Sequence, residues 1–171
     1  MKPVRFSIYF ILLFGLLGCI PNYTNTQPRY MSDNELVELD IKNPVAIKNT
    51  NTSKDKIRWC TDFGNSYYGN LFDYTESAIG IVKNVFERQG VIIDDASDKT
   101  LELSVDTAKC SLGSVTTTLH VKTGSGIEKK YEGRRTGLIS GYQYTRALES
   151  TMVKSVQQML NDKEIIEYLQ Y

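Results

Sequence analysis

A single histidine, His120, stands in 171 residues. Histidine is the side chain whose unperturbed charge change falls near neutral pH, so little acid–base chemistry is on offer. His120 falls among threonines on the polar side of a strand pattern and reads as a solvated side chain. No Cys-x-x-Cys, Gly-x-Ser-x-Gly or phosphate loop ending in Lys-Ser/Thr occurs. The acidic run Asp94, Asp95, Asp98 lacks the alternating ligand order and closing Glu of a calcium loop. Nor is there an excess of one charge. Twenty Lys and Arg balance twenty Asp and Glu, which leaves no electrostatic footprint for nucleic acid. Beyond the first residues, no apolar run approaches the length of a membrane span, about 20 residues. The sequence therefore offers no catalytic residue, no metal-ligand set and no cofactor motif. A non-enzymatic protein is expected.

What is present begins at the N-terminus. Lys2 and Arg5 precede an almost unbroken apolar run, residues 6–18 (FSIYFILLFGLLG). It is short for a span, and its basic flank and small final residue are those of a secretory signal. Leu16-Leu17-Gly18-Cys19 resembles the bacterial lipobox. That resemblance implies cleavage after Gly18, a diacylglycerol thioether on Cys19 and acylation of the new amino terminus. An anchor of two or more chains holds stably, since each buried methylene contributes about 0.8 kcal/mol. The partner expected first is thus a membrane, reached through the lipid. Ile20 follows the cysteine where an Asp would imply inner-membrane retention in enteric bacteria. The resemblance therefore implies the periplasmic side of the outer membrane, with the inner membrane and the cell surface as alternatives.

Cleavage would remove Lys2 and Arg5 and no acid, leaving 18 basic and 20 acidic side chains. Two cysteines remain, Cys60 and Cys110. An even count in an exported chain suggests a disulfide, with two separate buried thiols as the alternative. In the chain-entropy picture a bridge closing some fifty residues contributes roughly 4 kcal/mol. Parity bears on it. The apolar positions of both flanking strand patterns are odd, and both cysteines are even. Without a bulge, both thiols face away from the helices.

Residues 20–34 are rich in Asn, Thr and Pro and read as a tether. Residues 36–48 hold one or two short strand candidates, and 49–56 a polar loop. Alternation over 57–63 predicts a strand, which Gly64–Gly69 breaks. Leu71, Tyr74, Ala78, Ile79, Val82, Val85 and Phe86 recur at helical spacing, and Gly90 caps that helix. A short strand over 91–93 and two longer ones near 101–105 and 115–121 follow. Thr123-Gly124-Ser125-Gly126 makes a hairpin turn to a charged edge strand, 127–135. Leu148, Met152, Val156, Met159 and Leu160 share one face of a second helix, with another turn or two over 164–169. This order predicts an α+β fold, a mostly antiparallel sheet with two amphipathic helices packed on one face. The expected organisation is a signal peptide at 1–18, a lipidated N-terminus and tether at 19–56, and one domain at 57–171.

The remaining signal is surface. Arg134, Arg135, Tyr142, Tyr144 and Arg146 gather around one loop, and Tyr and Arg are typical of contact surfaces. The order of lipobox, tether, strand, long helix, strands and C-terminal helix is similar to small outer-membrane lipoproteins of the YajG type, and more remotely to lipopolysaccharide-assembly lipoproteins. The stretches carrying that pattern are NLFDYTESAIGIVKNVFERQGVII, TLELSVDTAKCSL and RALESTMVKSVQQML. The resemblance implies an accessory or assembly protein that meets another envelope protein. Apart from Cys19, it transfers no functional residue. A competing expectation is a lipoprotein binding a lipid, glycan or peptide in a pocket between helices and sheet.

Overall fold

Alternating Leu101, Leu103 and Val105 put one side of a strand in the core, and the longest strand of the molecule grows around them. The computed structural model describes residues 31, 38–62 and 64–171. The expected signal peptide, Cys19, Phe63 and nearly all of the tether lie outside them. The elements are β1 (Ala46–Asn49), β2 (Ile57–Asp62), β3 (Asn65–Gly69), α1 (Leu71–Arg88), β4 (Thr100–Ser111), β5 (Ser114–Thr123), β6 (Glu128–Thr136), α2 (Gln143–Leu160) and α3 (Lys163–Gln170). Four strands form a sheet in the order β1-β4-β5-β6, and β2 and β3 form a separate hairpin. Only β1 and β4 pair in parallel; the other pairs are antiparallel. The fold is α+β with a mostly antiparallel sheet.

Both long helices lie on one face of the larger sheet, α1 over β1 and β4, α2 over β5 and β6. Local chemistry sets the ends of α1. The Asn70 side chain accepts a hydrogen bond from the Asp73 amide at 2.7 Å, an N-cap. At the other end Val91 N–H bonds to Phe86 C=O and Gly90 N–H to Glu87 C=O, with Gly90 at φ +74°. That is the left-handed cap that glycine makes without steric cost. On β6, Gly133 meets α2 so closely that an added Cβ would lie 1.8 Å from the Thr151 carbonyl oxygen. Glycine there lets helix and sheet touch backbone to backbone.

The domain begins earlier than the expected boundary near Ile57. Leu39, Ile41, Val45, Ala46 and Ile47 are buried, and β1 pairs with the start of β4 from Ala46↔Thr100 to Asn49↔Leu103. A four-residue parallel strand needs only a short apolar stretch, which resembles a tether pattern in isolation. Residues 65–69, expected as a break, form β3; pairing with β2 overrides the weak strand propensity of Asn, Ser and Gly. The strand expected over 91–93 is a single bridge, Val45↔Ile93.

Where β1 ends, β4 would be left with unpaired backbone groups. Two side chains and one amide take them up. Thr50 N–H bonds to Leu103 C=O, and the Asn51 side-chain amide to Val105 C=O. Inside the core, the Thr75 hydroxyl of α1 accepts the Val105 amide at 2.8 Å while donating to Leu71 C=O. The Asp162 carboxylate fastens the other edge. It caps α3 through Glu164 N–H and accepts from Lys129 Nζ at 2.8 Å and Tyr131 OH at 3.0 Å. Burial opposes the Asp162 charge, but Lys129, Tyr131 and the Glu164 amide outweigh it and hold the carboxyl below its ordinary pKa.

Two outcomes follow from this bonding. Thr75→Val keeps shape and loses the hydroxyl, orphaning a buried amide, so denaturant unfolding should show a loss of about 1–3 kcal/mol; an unchanged midpoint would remove Thr75 from this role. Asp162→Ala should cost about 2 kcal/mol at pH 7. Because the folded pKa is depressed, that contribution is present above the ordinary carboxylate value, about 3.9, and is lost as pH falls through the folded value. The gap between wild type and Asp162→Ala in thermal melts should therefore close on acidification, and a gap that widens would contradict the assignment.

Candidate functional site

Parity without bulges put both cysteine thiols on the face away from the helices. Two bulges reverse that expectation. In β2 the pairing passes from Arg58↔Tyr68 to Cys60↔Tyr67, so Trp59 is the extra residue. In β4 it passes from Val105↔Leu119 to Thr107↔Thr118. Each bulge turns the following residues over. Beyond them Cys60 is buried, and Ala108 and Cys110 share the helix side of the sheet with Val115 and Thr117. The two cysteines sit at disulfide distance, with Cα atoms 5.0 Å apart.

Beside this pair a groove of about 470 Å³ opens between β2 and the end of β4. Its wall includes Trp59, both cysteines, Leu112 and Tyr144, and Arg58 and Asp62 bring charge to it. Trp59 is 4% exposed, and its indole N–H finds no acceptor among the described residues. Tyr67 joins Trp59 and Tyr144 into one aromatic row, at centroid distances of 5.8 and 5.3 Å, and donates to Gly141 C=O at 2.9 Å. Burial raises the Tyr144 pKa, assisted by the Asp62 charge and a hydrogen bond to Asp62. Both phenols thus stay neutral and hold the β2–β3 hairpin against the loop before α2.

The groove opens onto an end of the molecule that carries unusual side chains. Leu112 occupies the β4–β5 turn before Gly113, whose φ is +70°. Gly137 N–H bonds to Gly113 C=O, extending the β5–β6 pairing, and so draws Leu138 toward Leu112. Leu112 is 97% exposed, Leu138 fully exposed and Tyr142 70% exposed. Arg134 and Arg135 close β6 on this end, and Arg146 stacks on the Tyr142 ring with 5.2 Å to its centroid. Arg58, Arg134, Arg135 and Arg146 have no ion-pair partner among the described residues.

Of the five residues expected on a contact surface, Arg134, Arg135, Tyr142 and Arg146 are exposed at this end. Tyr144 is not. It is 2% exposed and belongs to the aromatic row, because helix periodicity turns it inward with Ala147 and Leu148. Leu112, Leu138 and Trp59 were not singled out from sequence. An apolar residue beside glycine in a turn, as in Leu112-Gly113 and Gly137-Leu138, was the available signal.

His120 stands on the open sheet face, with Nε2 2.7 Å from Glu128 and Nδ1 3.8 Å from Asp106. Lys130 meets the same Asp106 at 2.7 Å. It is a half-buried polar row, far from the groove. Among the described residues no three His, Cys, Asp or Glu side chains converge as metal ligands, and no helix is long and apolar enough to cross a membrane. No known protein-family model matches the chain, and no curated protein matches it.

The Cys60–Cys110 pair joins the hairpin to β4 and shapes the groove wall. Replacing both by serine should lower stability by up to about 4 kcal/mol and loosen the hairpin, read as faster amide exchange at Trp59–Asp62. Exchange that stays as slow as in the parent would show the hairpin held by its aromatic row alone.

Proposed function

We propose that this chain is a lipid-anchored envelope protein that works by docking another protein on the end of its domain farthest from the anchor. Cys19 is the anchoring residue in this reading, and the periplasmic side of the outer membrane is its place. The domain acts as an accessory or assembly module without chemistry of its own.

One observation carries the reading: the exposed Leu112, Leu138 and Tyr142 all belong to the end of the domain where Gly137 N–H bonds to Gly113 C=O. A leucine projecting into water at a turn contributes nothing to folding, and clustered exposed apolar side chains mark contact sites. Position supports it further. Met31, Leu39 and β1 enter the domain beside Arg88, Gln89 and the start of β4. The twelve residues of β4, at about 3.3 Å each, carry the chain roughly 36 Å to the opposite end. A tether attached at the first end presents the second to the surroundings. Asp40, Asp94 and Asp98 lie on the tether side, interleaved with Lys42 and Lys99.

The test is site-specific photocrosslinking in the native membrane. A photoreactive residue at Leu138 should yield a discrete protein adduct that Leu112→Asp abolishes, while one at Lys122 on the open sheet face yields none. Equal adducts at both positions, or none at Leu138, would sink the reading.

A further inference from the structure

The end carrying the exposed leucines is a projection with a hole beside it. Leu112 belongs to both, since it stands free at the turn and also walls the groove of about 470 Å³. A fluid bilayer accepts projecting leucines but has no use for an adjacent hole. A polypeptide can use both, seating one of its own side chains in the groove while the leucines rest against its backbone. The groove floor suits an apolar side chain, with the Trp59 ring, the Cys60–Cys110 sulfurs and Tyr144.

Charge narrows the occupant. Arg58 stands at the groove, and Arg134 and Arg135, on the two faces of the end of β6, and Arg146 in the first turn of α2 lie at the end that carries the leucines, without ion-pair partners among the described residues. The one carboxylate lining the groove, Asp62, is engaged by Tyr144. The N-terminus of α2 also points to this end, and its N-cap, Tyr142, makes no side-chain capping bond. A helix of 18 residues adds partial positive charge there. The whole chain is electrically balanced at 20 against 20, so this excess is local. Complementarity selects partners of opposite charge and steers their approach.

We infer that the groove and the leucine projection together bind an acidic polypeptide segment bearing an apolar side chain, which enters the groove against Trp59 while its carboxylates meet Arg58, Arg134, Arg135 and Arg146. This rests on the docking reading above and names the chemistry of the partner.

Trp59 is the only tryptophan in the chain, so its emission reports on this groove alone. The probe is a synthetic peptide of alternating Glu and Asp around a central Phe, titrated into the full chain in detergent. Three peptides serve as comparisons: one with Lys at every acidic position, one with Ser for Phe, and one labelled for anisotropy. Saturable binding of the acidic Phe peptide with a change in Trp59 emission is expected. Arg134→Glu with Arg135→Glu should weaken it at least tenfold, and so should Leu112→Asp, in variants whose circular dichroism matches the parent. Raising salt should weaken it as well. Equal binding of the Lys peptide, or of the Ser peptide, would overturn the inference. So would vesicles of phosphatidylethanolamine and phosphatidylglycerol binding the Cys19→Ser chain in a manner that Leu112→Asp abolishes. If no acidic peptide binds while the Leu138 crosslink persists, the partner chemistry is wrong and the docking end stands. If the crosslink fails too, both fall.

Discussion

The bulge between Val105 and Thr107 governs the upper half of the molecule. Before it, β4 buries Leu101, Leu103 and Val105; after it, the strand buries Ala108 and turns Cys110 inward. The strand has been rotated by one residue without leaving the sheet. The first half of β4 can thus pair with β1, while the second half presents a sulfur to a hairpin that pairs with nothing else in the sheet. The smaller bulge in β2 answers it by turning Cys60 to meet that sulfur. Straight strands would leave both thiols in water on the open face, and the hairpin would have no covalent hold.

The same construction explains why the groove exists. A hairpin attached at one sulfur and one aromatic row covers the end of the core incompletely. Tyr67 and Tyr144 seal its inner side, and the outer side remains open along Trp59 and Leu112. Under the two long helices the core is tightly buried. Leu119, Leu148, Met152 and Met159 are at most 1% exposed, and Asp162, Lys129 and Tyr131 close the lower edge by hydrogen bonds.

Much of the fold was legible because its signals are local. The apolar faces of α1 and α2 repeat every three or four residues, and Gly90 marks a stop that the backbone then uses. The alternation in β4 and β5 also reads directly. The misses share one cause. β1 is too short to show a period, β3 is built of residues that favour turns, and both exist because a partner strand supplies hydrogen bonds. Of the residues expected on a contact surface, the arginines and Tyr142 are exposed. Tyr144 was misread because a helix begins one residue before it and turns it inward. Leu112 and Leu138 carried no periodic signal, and only the pairing of Gly113 with Gly137 brings them together.

By itself, the sequence determined what depends on neighbours along the chain: the amphipathic helices, the long strands and the even pair of cysteines. It also sets the expectation of an anchor at Cys19, which depends on a short contiguous motif. The tertiary structure alone decided which way each strand faces after its bulge, that Cys60 and Cys110 meet on the core side, and that two exposed leucines far apart in sequence flank the paired Gly113 and Gly137. Strand register and face are settled by pairing across tens of residues, and a single inserted residue reverses them. No local pattern in this chain records that choice.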